Sequence, residues 1–274
     1  TLLQLEKIPG TDMTVADLTV GTVCGGSDAT SGITANPAVG KVFNRLVENK
    51  AIAIFEETGE MIGLEEIVSK RGVTPELGME LKKSVQKADW YYTQMGHGSF
   101  APGNADGGLT TIEEKSMGAY CKGGDAPISG LIKPGDIPKK PGLYVMDVVP
   151  DGVPKYGFPN INDNAEIVEM IASGSHIILF TTGRGSVVGS AISPVIKICA
   201  NPQTYQHMQD DMDINAGRIL SGLVTIDEVS DEIFELIEKV ASGTPSCSEA
   251  LGHQEFVLTY KTFTPTGPSC LPGQ

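Results

Sequence analysis

Apolar and polar positions form blocks along the chain, and these blocks predict strands that alternate with helices. Short apolar runs at residues 18–23, 51–55, 143–148, 176–180 and 195–200 have the length of buried strands. Apolar positions at helical spacing and helix start signals predict helices at residues 38–49, 63–70, 75–91, 111–120, 164–173 and 225–243. The alternation predicts an α/β fold in one domain over residues 1–274, with a largely parallel sheet and helices on both faces.

Local signals refine the predicted boundaries. Asn36 followed by Pro37 is typical of an N-cap and a first helical turn. Thr225 and Glu228 fit the capping-box pattern, in which two side chains bind the backbone N–H groups at a helix start. Residues 95–108 are rich in glycine and include a proline, so we predict a loop there.

Polar, glycine-rich segments follow three of the predicted strands. They come directly after Val23, Phe55 and Phe180. In parallel α/β sheets, ligands bind beyond the carboxyl ends of the strands, where such loops converge. This placement indicates an enzyme or a protein that binds a small ligand at that edge of the sheet.

The first segment combines freed backbone N–H groups with a thiol, a hydroxyl and a carboxylate. It reads Cys24, Gly25, Gly26, Ser27 and Asp28. Glycines allow backbone N–H groups to approach an anion closely, and a carboxylate can bind a metal ion or orient a base. The alternative is a turn in which the aspartate caps the next segment.

The segment after Phe180 places Arg184 between Gly183 and Gly185, with Thr182 just before them. The guanidinium group is a planar fork of N–H donors that matches a carboxylate or a sulfonate. Acidic residues outnumber lysine and arginine in this chain by 34 to 20, so an arginine placed between glycines at a strand end is a candidate ligand contact. We therefore predict that Arg184 clamps an anionic ligand. The segment is neither a Walker loop, because no G-K-[ST] follows, nor a dinucleotide-binding fingerprint.

Carboxylates cluster at two places in the sequence. Glu56, Glu57 and Glu60 crowd the end of a predicted buried strand, and Asp211 and Asp213 form a second acidic stretch. Clustered carboxylates repel one another unless a cation or protons neutralise them, so both clusters are candidate sites for a divalent metal. The alternatives are a solvated acidic loop at the first cluster and a helix cap at the second.

Further candidates lie between the two carboxylate clusters. Asn104 belongs to a glycine-rich stretch that precedes the helix carrying Lys115, a pattern that suits an anion at a helix start. His97, in the glycine-rich loop, is the histidine best placed for catalysis among four isolated ones.

Composition narrows the classes of partner and compartment. Lysine and arginine number 20 against 34 acidic residues, and the net charge of −14 disfavours nucleic acid and anionic membranes as partners. No apolar run reaches the length of a membrane span. Five scattered cysteines without a C-x-x-C pair predict reduced thiols in a cytoplasm. The chain starts at Thr1 without a charged-then-apolar leader, so we expect a processed or excised piece and not a signal peptide.

Several strings together resemble the altronate/galactarate dehydratase family. They are CGGSD at 24–28, SGITANPAVG at 31–40, PGN at 102–104 with GGLTTIEEK at 107–115, FTTGRG at 180–185 and DMDIN at 211–215. The resemblance runs from about residue 18 to residue 245. Within the family, residues 128–136 and 251–260 are most similar to the large subunit of sulfolactate sulfo-lyase.

The resemblance implies a lyase that performs β-elimination on a 2-hydroxy acid. The first expectation is conversion of sulfolactate to pyruvate and sulfite. The alternative is a sugar-acid dehydratase that releases water from altronate or galactarate. A module that binds anionic metabolites would use the same arginine and glycine loops without a base, and would show binding without turnover. A purely structural subunit would tolerate alanine at Asp28 and Glu57 without loss of activity of the assembled enzyme.

The resemblance also implies roles for individual residues. A divalent metal, Fe²⁺ or alternatively Mg²⁺ or Mn²⁺, would bind among Asp28, Glu57 and Glu60, with Asp211 or Asp213 as further ligands. Lys115 or His97 would act as the base. The expected substrate-binding residues are Cys24, Gly25, Gly26, Ser27, Asn36, Asn104, Thr182, Gly183 and Arg184.

Members of this family pair such a catalytic domain with an upstream α/β segment and with a small β-rich domain or subunit. We expect the chain to be the carboxy-terminal catalytic domain, to work with that small partner, and to form an oligomer.

Overall fold

The computed structural model describes residues 10–56, 58–96, 99–100, 102–152 and 161–257. In this part of the chain, a seven-stranded sheet has the order β3-β4-β2-β1-β5-β6-β7. Every neighbouring pair of strands is parallel. The predicted α/β fold with a parallel sheet is therefore confirmed. The strands are β1 (Thr19–Cys24), β2 (Ile52–Glu56), β3 (Ile128–Ile132), β4 (Gly142–Met146), β5 (Ile177–Thr182), β6 (Val195–Cys199) and β7 (Ile214–Asn215).

Helices cover the sheet between these strands. The α-helices of the described residues are α1 (Ala35–Glu48), α2 (Glu65–Ser69), α3 (Pro75–Gln94), α4 (Pro102–Asp106), α5 (Ile112–Tyr120), α6 (Asp163–Ala172), α7 (Pro202–His207), α8 (Ile226–Ala241) and α9 (Cys247–Leu251). Short 3-10 turns lie at Val15–Asp17, Ser31–Ile33, Thr58–Glu60, Cys121–Gly123 and Ala216–Ser221.

The core has two layers, one on each face of the sheet. In β5, Leu179 packs into the cluster that includes α1 and α8. The next residue, Phe180, packs into the cluster that includes Met170 of α6. Side chains of a strand alternate between faces, so a strand that is apolar at every position is buried on both. This explains why the strands appear in the sequence as continuous apolar runs.

Some boundaries differ from the sequence prediction for identifiable reasons. Asn36 is not the N-cap of α1, because the helix begins at Ala35 and Thr34 precedes it. The buried Asn36 side chain instead donates a hydrogen bond from Nδ2 to the carbonyl of Gly118, at 3.1 Å. The stretch predicted as one loop, residues 95–108, contains the short helix α4.

The capping box of Thr225 and Glu228 is present and starts α8 as predicted. Strand β3 was not predicted, because its Ser129-Gly130 pair interrupts the apolar pattern. The pairing of β3 with β4 shifts in register between Ile128 and Gly130.

No helix in the described ranges is long and apolar enough to cross a membrane. Four cysteines of that part of the chain, Cys24, Cys121, Cys199 and Cys247, are free thiols.

Candidate active site

A cleft of about 540 Å³ opens at the carboxyl ends of the central strands. Residues that follow β1, β2, β4 and β5 line it, together with the beginnings of α4 and α6. Because β2 and β5 lie on opposite sides of β1, the chain reverses direction across the sheet at this point. Open parallel sheets bind their ligands at such a switch point. The glycine-rich polar loops therefore lie where the sequence predicted them.

The loops after β1 and β5 are joined through their backbones. The carbonyl of Gly26 accepts hydrogen bonds from the N–H groups of Gly183 and Arg184, at 3.0 and 3.1 Å. A Cβ atom at Gly183 would lie 2.3 Å from the carboxyl group of Asp28. Only glycine fits at position 183, so the close approach of the two loops depends on it.

Arg184 lies exposed at the rim of the cleft. Its Nη1 donates a hydrogen bond to the carbonyl of Gly103, at 3.2 Å. A Cβ atom at Gly103 would lie 2.3 Å from that nitrogen, so the glycine makes room for the guanidinium group. A guanidinium group carries five N–H donors. The others can serve an anion in the cleft.

Asp28 is buried and its carboxylate is surrounded by donors. Oδ1 accepts from the N–H and the hydroxyl of Thr30, at 2.9 and 2.6 Å, and from Ser31 at 3.3 Å. Oδ2 accepts from Nδ2 of Asn201, at 2.9 Å. These bonds fix the loop after β1 against the loop after β6. Asp28 therefore organises the site, and its predicted role as a metal ligand stays a prediction.

A second pocket of about 280 Å³ lies beside the cleft. Ser27, Asp28 and Asn36 line it, and Lys115 lines both it and the cleft. Asn36 Oδ1 is buried and has no hydrogen-bond partner among the described residues.

Glu60 is the centre of a buried ionic cluster in the cleft. Lys115 Nζ lies 2.9 Å from Oε1, and Lys122 Nζ lies 3.9 Å from Oε2. The Cys24 thiol donates to Oε2 at 3.1 Å. Lys115 also donates to the carbonyl of Ser99 at 2.7 Å. The lysine side chains are only 9% and 0% exposed, so the Glu60 carboxylate offsets charge that water does not reach.

Two other ionisable groups of the cleft have shifted pKa values. Burial raises the pKa of Asp163 to about 6, with a smaller contribution from the nearby Glu60 carboxylate. Burial also raises the pKa of Tyr92 well above its usual value, as do the charges of Glu166, Glu60 and Glu56. Strongly shifted ionisable groups in a cleft are typical of functional sites.

The predicted metal ligands do not form one group. Among the described residues, no set of three or more His, Cys, Asp or Glu side chains is placed to hold a metal ion. Asp213 lies away from the cleft and accepts from the N–H groups of Lys197 and Cys247, at 2.7 and 2.8 Å. Asp211 lies 3.9 Å from Lys197 Nζ. Glu57 and His97, two further candidates, lie outside the described residues.

The cleft thus unites some of the predicted residues and adds others. The predicted ones that line it are Cys24, Gly25, Gly26, Glu60, Asn104, Lys115 and Arg184. Thr182 and Gly183 support the loop beneath it, since Thr182 Oγ1 accepts from the N–H of Gly185 at 3.0 Å. Sequence reasoning missed Tyr92, Lys122, Asp163 and Glu166. Lys122 could have been found from the sequence, because it follows Lys115 by seven residues, or two helical turns. Tyr92, Asp163 and Glu166 belong to no motif that would have marked them.

The chain is similar to three enzymes along most of its length. It is 35% identical over 252 residues to the (2R)-sulfolactate sulfo-lyase subunit beta of Chromohalobacter salexigens, which covers 89% of this chain and 62% of that protein. It is 37% identical to the galactarate dehydratase (L-threo-forming) of Escherichia coli, over 83% of this chain and 42% of that protein. It is 31% identical to an altronate dehydratase of Bacillus subtilis, over 85% of this chain and 45% of that protein.

The chain therefore spans between 42% and 62% of the length of these three relatives. The profile of one protein family, described as D-galactarate/altronate dehydratase, C-terminal, matches residues 15–264, which is nearly the whole chain. The chain belongs to the D-galactarate/altronate dehydratase C-terminal family.

Proposed function

We propose that the chain is the catalytic part of a lyase that eliminates a small group from a polar 2-hydroxy acid. Sulfolactate, which would yield pyruvate and sulfite, is the first candidate substrate. The observation that supports this proposal is the cleft itself. It combines the cations Arg184 and Lys115 with the carboxylates Glu60, Asp163 and Glu166 at the switch point of the sheet.

The proposed reaction breaks a C–H bond at C2 and a bond to the leaving group at C3. A base accepts the C2 proton, and the electron pair of that bond forms the C2=C3 double bond. Sulfite leaves C3 with its bonding electrons. The resulting enol then takes a proton at C3 and loses its hydroxyl proton, which gives pyruvate.

The cations of the cleft have distinct tasks in this scheme. Proton removal places negative charge on the carboxylate next to C2. Fixed positive groups stabilise this charge and so lower the activation barrier to proton removal. Lys115 is suited to this task, because it lines the cleft and its Nζ is positioned by the Glu60 carboxylate 2.9 Å away. Arg184, at the rim, is suited to clamp the distal sulfonate or carboxylate. The alternative from the sequence is that Lys115 or His97 acts as the base, and Lys115 would then react as the neutral amine.

A divalent metal, Fe²⁺ or alternatively Mg²⁺ or Mn²⁺, is our proposed cofactor. Such an ion would act as a Lewis acid on the substrate carboxylate. The described residues do not by themselves form a ligand group, so the steps above rest on the side chains alone. Metal content after purification, and activity before and after chelation, test the requirement directly.

We also propose that the chain works with a small partner domain or subunit, in an oligomer and in the cytoplasm. The relative from Chromohalobacter salexigens is named as a subunit beta, which supports an enzyme of several subunits.

The second candidate function is dehydration of a sugar acid such as altronate or galactarate. Two of the relatives are named for these reactions. The pocket beside the cleft supports this candidate, because Lys115 lines both and a longer polyol chain would have space there.

A substrate panel separates these candidates. The full protein, with its partner subunit and added Fe²⁺, is incubated with sulfolactate, altronate and galactarate. Sulfite release from sulfolactate supports the first candidate, and a 2-keto-3-deoxy acid from a sugar acid supports the second. Saturable binding of these acids without any product would contradict both and indicate a binding module.

A further inference from the structure

Asp163 occupies a position in the cleft that the sequence motifs do not mark. It is the first residue of α6, and the Asn162 side chain caps that helix by accepting from the N–H of Ala165, at 3.1 Å. The cap fixes the backbone from which the Asp163 side chain projects. A Cβ atom built on Gly25 would lie 3.4 Å from Asp163 Oδ2, so this carboxyl group faces the glycine loop after β1.

Charged and titratable groups from several elements surround Asp163. Glu60, after β2, raises its pKa, and Lys115 of α5 and Lys122 after α5 lower it. The cleft is also lined by Cys24 at the end of β1, Glu56 at the end of β2, Tyr92 of α3, Glu166 of α6 and Arg184 after β5. Burial outweighs these contributions and brings the pKa of Asp163 to about 6.

The two best-placed carboxylates of the cleft therefore differ in chemical character. Glu60 is paired with two lysine Nζ atoms, at 2.9 Å and 3.9 Å. Asp163, with a pKa of about 6, is mostly a carboxylate at pH 7 but takes up a proton readily. A general base works best when its pKa lies near the operating pH, because it is then mostly deprotonated but still accepts a proton readily.

We propose that Asp163 is a further catalytic residue of this cleft, the general base that accepts the C2 proton of the substrate. The C2–H bond breaks, the proton goes to the Asp163 carboxylate, and the electron pair forms the C2=C3 bond as the leaving group departs with its own pair. Asp163 then returns the proton to water. Lys115 stays an ammonium group that stabilises the charge on the substrate carboxylate. This inference rests on the elimination chemistry of the proposed function.

The test compares Asp163→Asn and Asp163→Glu with the wild-type protein, in the assembled enzyme and with the acid that it turns over. Asparagine has nearly the same shape but accepts no proton, so we expect kcat to fall by about 10²–10⁴-fold. Glutamate keeps the carboxyl group and should restore part of the rate. In the wild type, kcat/KM should fall as the pH drops below about 6, and this limb should be absent from the residual activity of Asp163→Asn.

A matched control is Asp89→Asn, which removes one carboxylate from an exposed position on α3. We expect it to keep the wild-type rate and pH profile. If Asp163→Asn also keeps at least half of the wild-type kcat with an unchanged pH profile, Asp163 is not the base.

A second readout does not depend on turnover. Between pH 4 and pH 7, the Tm of Asp163→Asn should rise relative to that of the wild type. The raised pKa of Asp163 means that its protonated form stabilises the folded wild type at low pH, and this contribution is lost as the pH rises through about 6. Asp89→Asn should show no such trend. If no acid is turned over, the proposed function fails, and a Tm difference that is flat with pH would then overturn the assignment of Asp163 separately.

Discussion

Replacing Glu60 by glutamine should destabilise the fold strongly, because it removes the negative charge beside two buried lysines. The Nζ–Oε distances are 2.9 Å to Lys115 and 3.9 Å to Lys122. With an effective dielectric constant of about 20, these pairs attract by roughly 6 and 4 kcal/mol. Desolvation offsets much of this, and removing one partner of a buried pair typically costs about 3–5 kcal/mol. For a chain of this size that corresponds to a Tm lowered by roughly 10 °C.

The assay is urea unfolding of the wild type and Glu60→Gln, monitored by circular dichroism. Glu235→Gln is the matched control, because Glu235 pairs with Lys239 at 3.6 Å while both side chains are more than 60% exposed. We expect that control to lower the free energy of unfolding by less than about 1 kcal/mol. Adding Lys115→Met to Glu60→Gln should restore part of the lost stability, since it removes one of the two ammonium groups that lose the Glu60 carboxylate. If the free energy of unfolding of Glu60→Gln lies within about 1 kcal/mol of the wild-type value, the Glu60 carboxylate does not stabilise the fold through these lysines.

Three further substitutions test other parts of the structure. Asp147→Asn should lower the free energy of unfolding by about 2–4 kcal/mol in urea titrations, because its buried carboxylate contacts two lysine Nζ atoms at 2.6 and 2.8 Å; an unchanged unfolding midpoint would contradict this. Lys197→Met should raise the Tm at pH 7, because burial lowers the pKa of this amino group and its Nζ has no hydrogen-bond partner within the part of the chain that the structure describes. The gain should shrink as the pH rises and the wild-type amine loses its proton; a lower Tm would show that its 3.9 Å contact with Asp211 matters more. Arg184→Ala should raise KM by about 10–100-fold for a dianionic substrate, consistent with loss of about 1.5–3 kcal/mol from a charged hydrogen bond; unchanged kinetics would exclude the clamp.

The sequence was sufficient to predict the fold class because a parallel sheet imposes continuous apolar runs. The strands predicted at residues 51–55 and 176–180 differ from β2 and β5 by one or two residues at each end. Strand β3 was not predicted, because Gly130 interrupts its apolar pattern. Asn36 was misassigned as a cap, because its local sequence favours that role whereas its buried contact with Gly118 depends on tertiary structure.

The candidate site was predictable only where a local motif marks it. The loops that carry Gly25 and Arg184 are glycine-rich and lie at strand ends, so position along the chain predicted their convergence. Asp163 follows no glycine motif, and its character comes from burial and from a carboxylate about a hundred residues earlier in the chain. Such a property appears only after folding.

The most direct test of the central claim is a comparison of sulfite release from sulfolactate by the wild type and by Arg184→Ala. Both proteins are assembled with the partner subunit and Fe²⁺, and Arg218→Ala, at a site away from the cleft, serves as the control. We expect sulfite and pyruvate in equal amounts from the wild type and from the control. We expect much slower release at subsaturating substrate from Arg184→Ala. Sulfite release that is the same in all three proteins, or that occurs in none of them while a sugar acid is dehydrated, would contradict the account of sulfolactate elimination in this cleft.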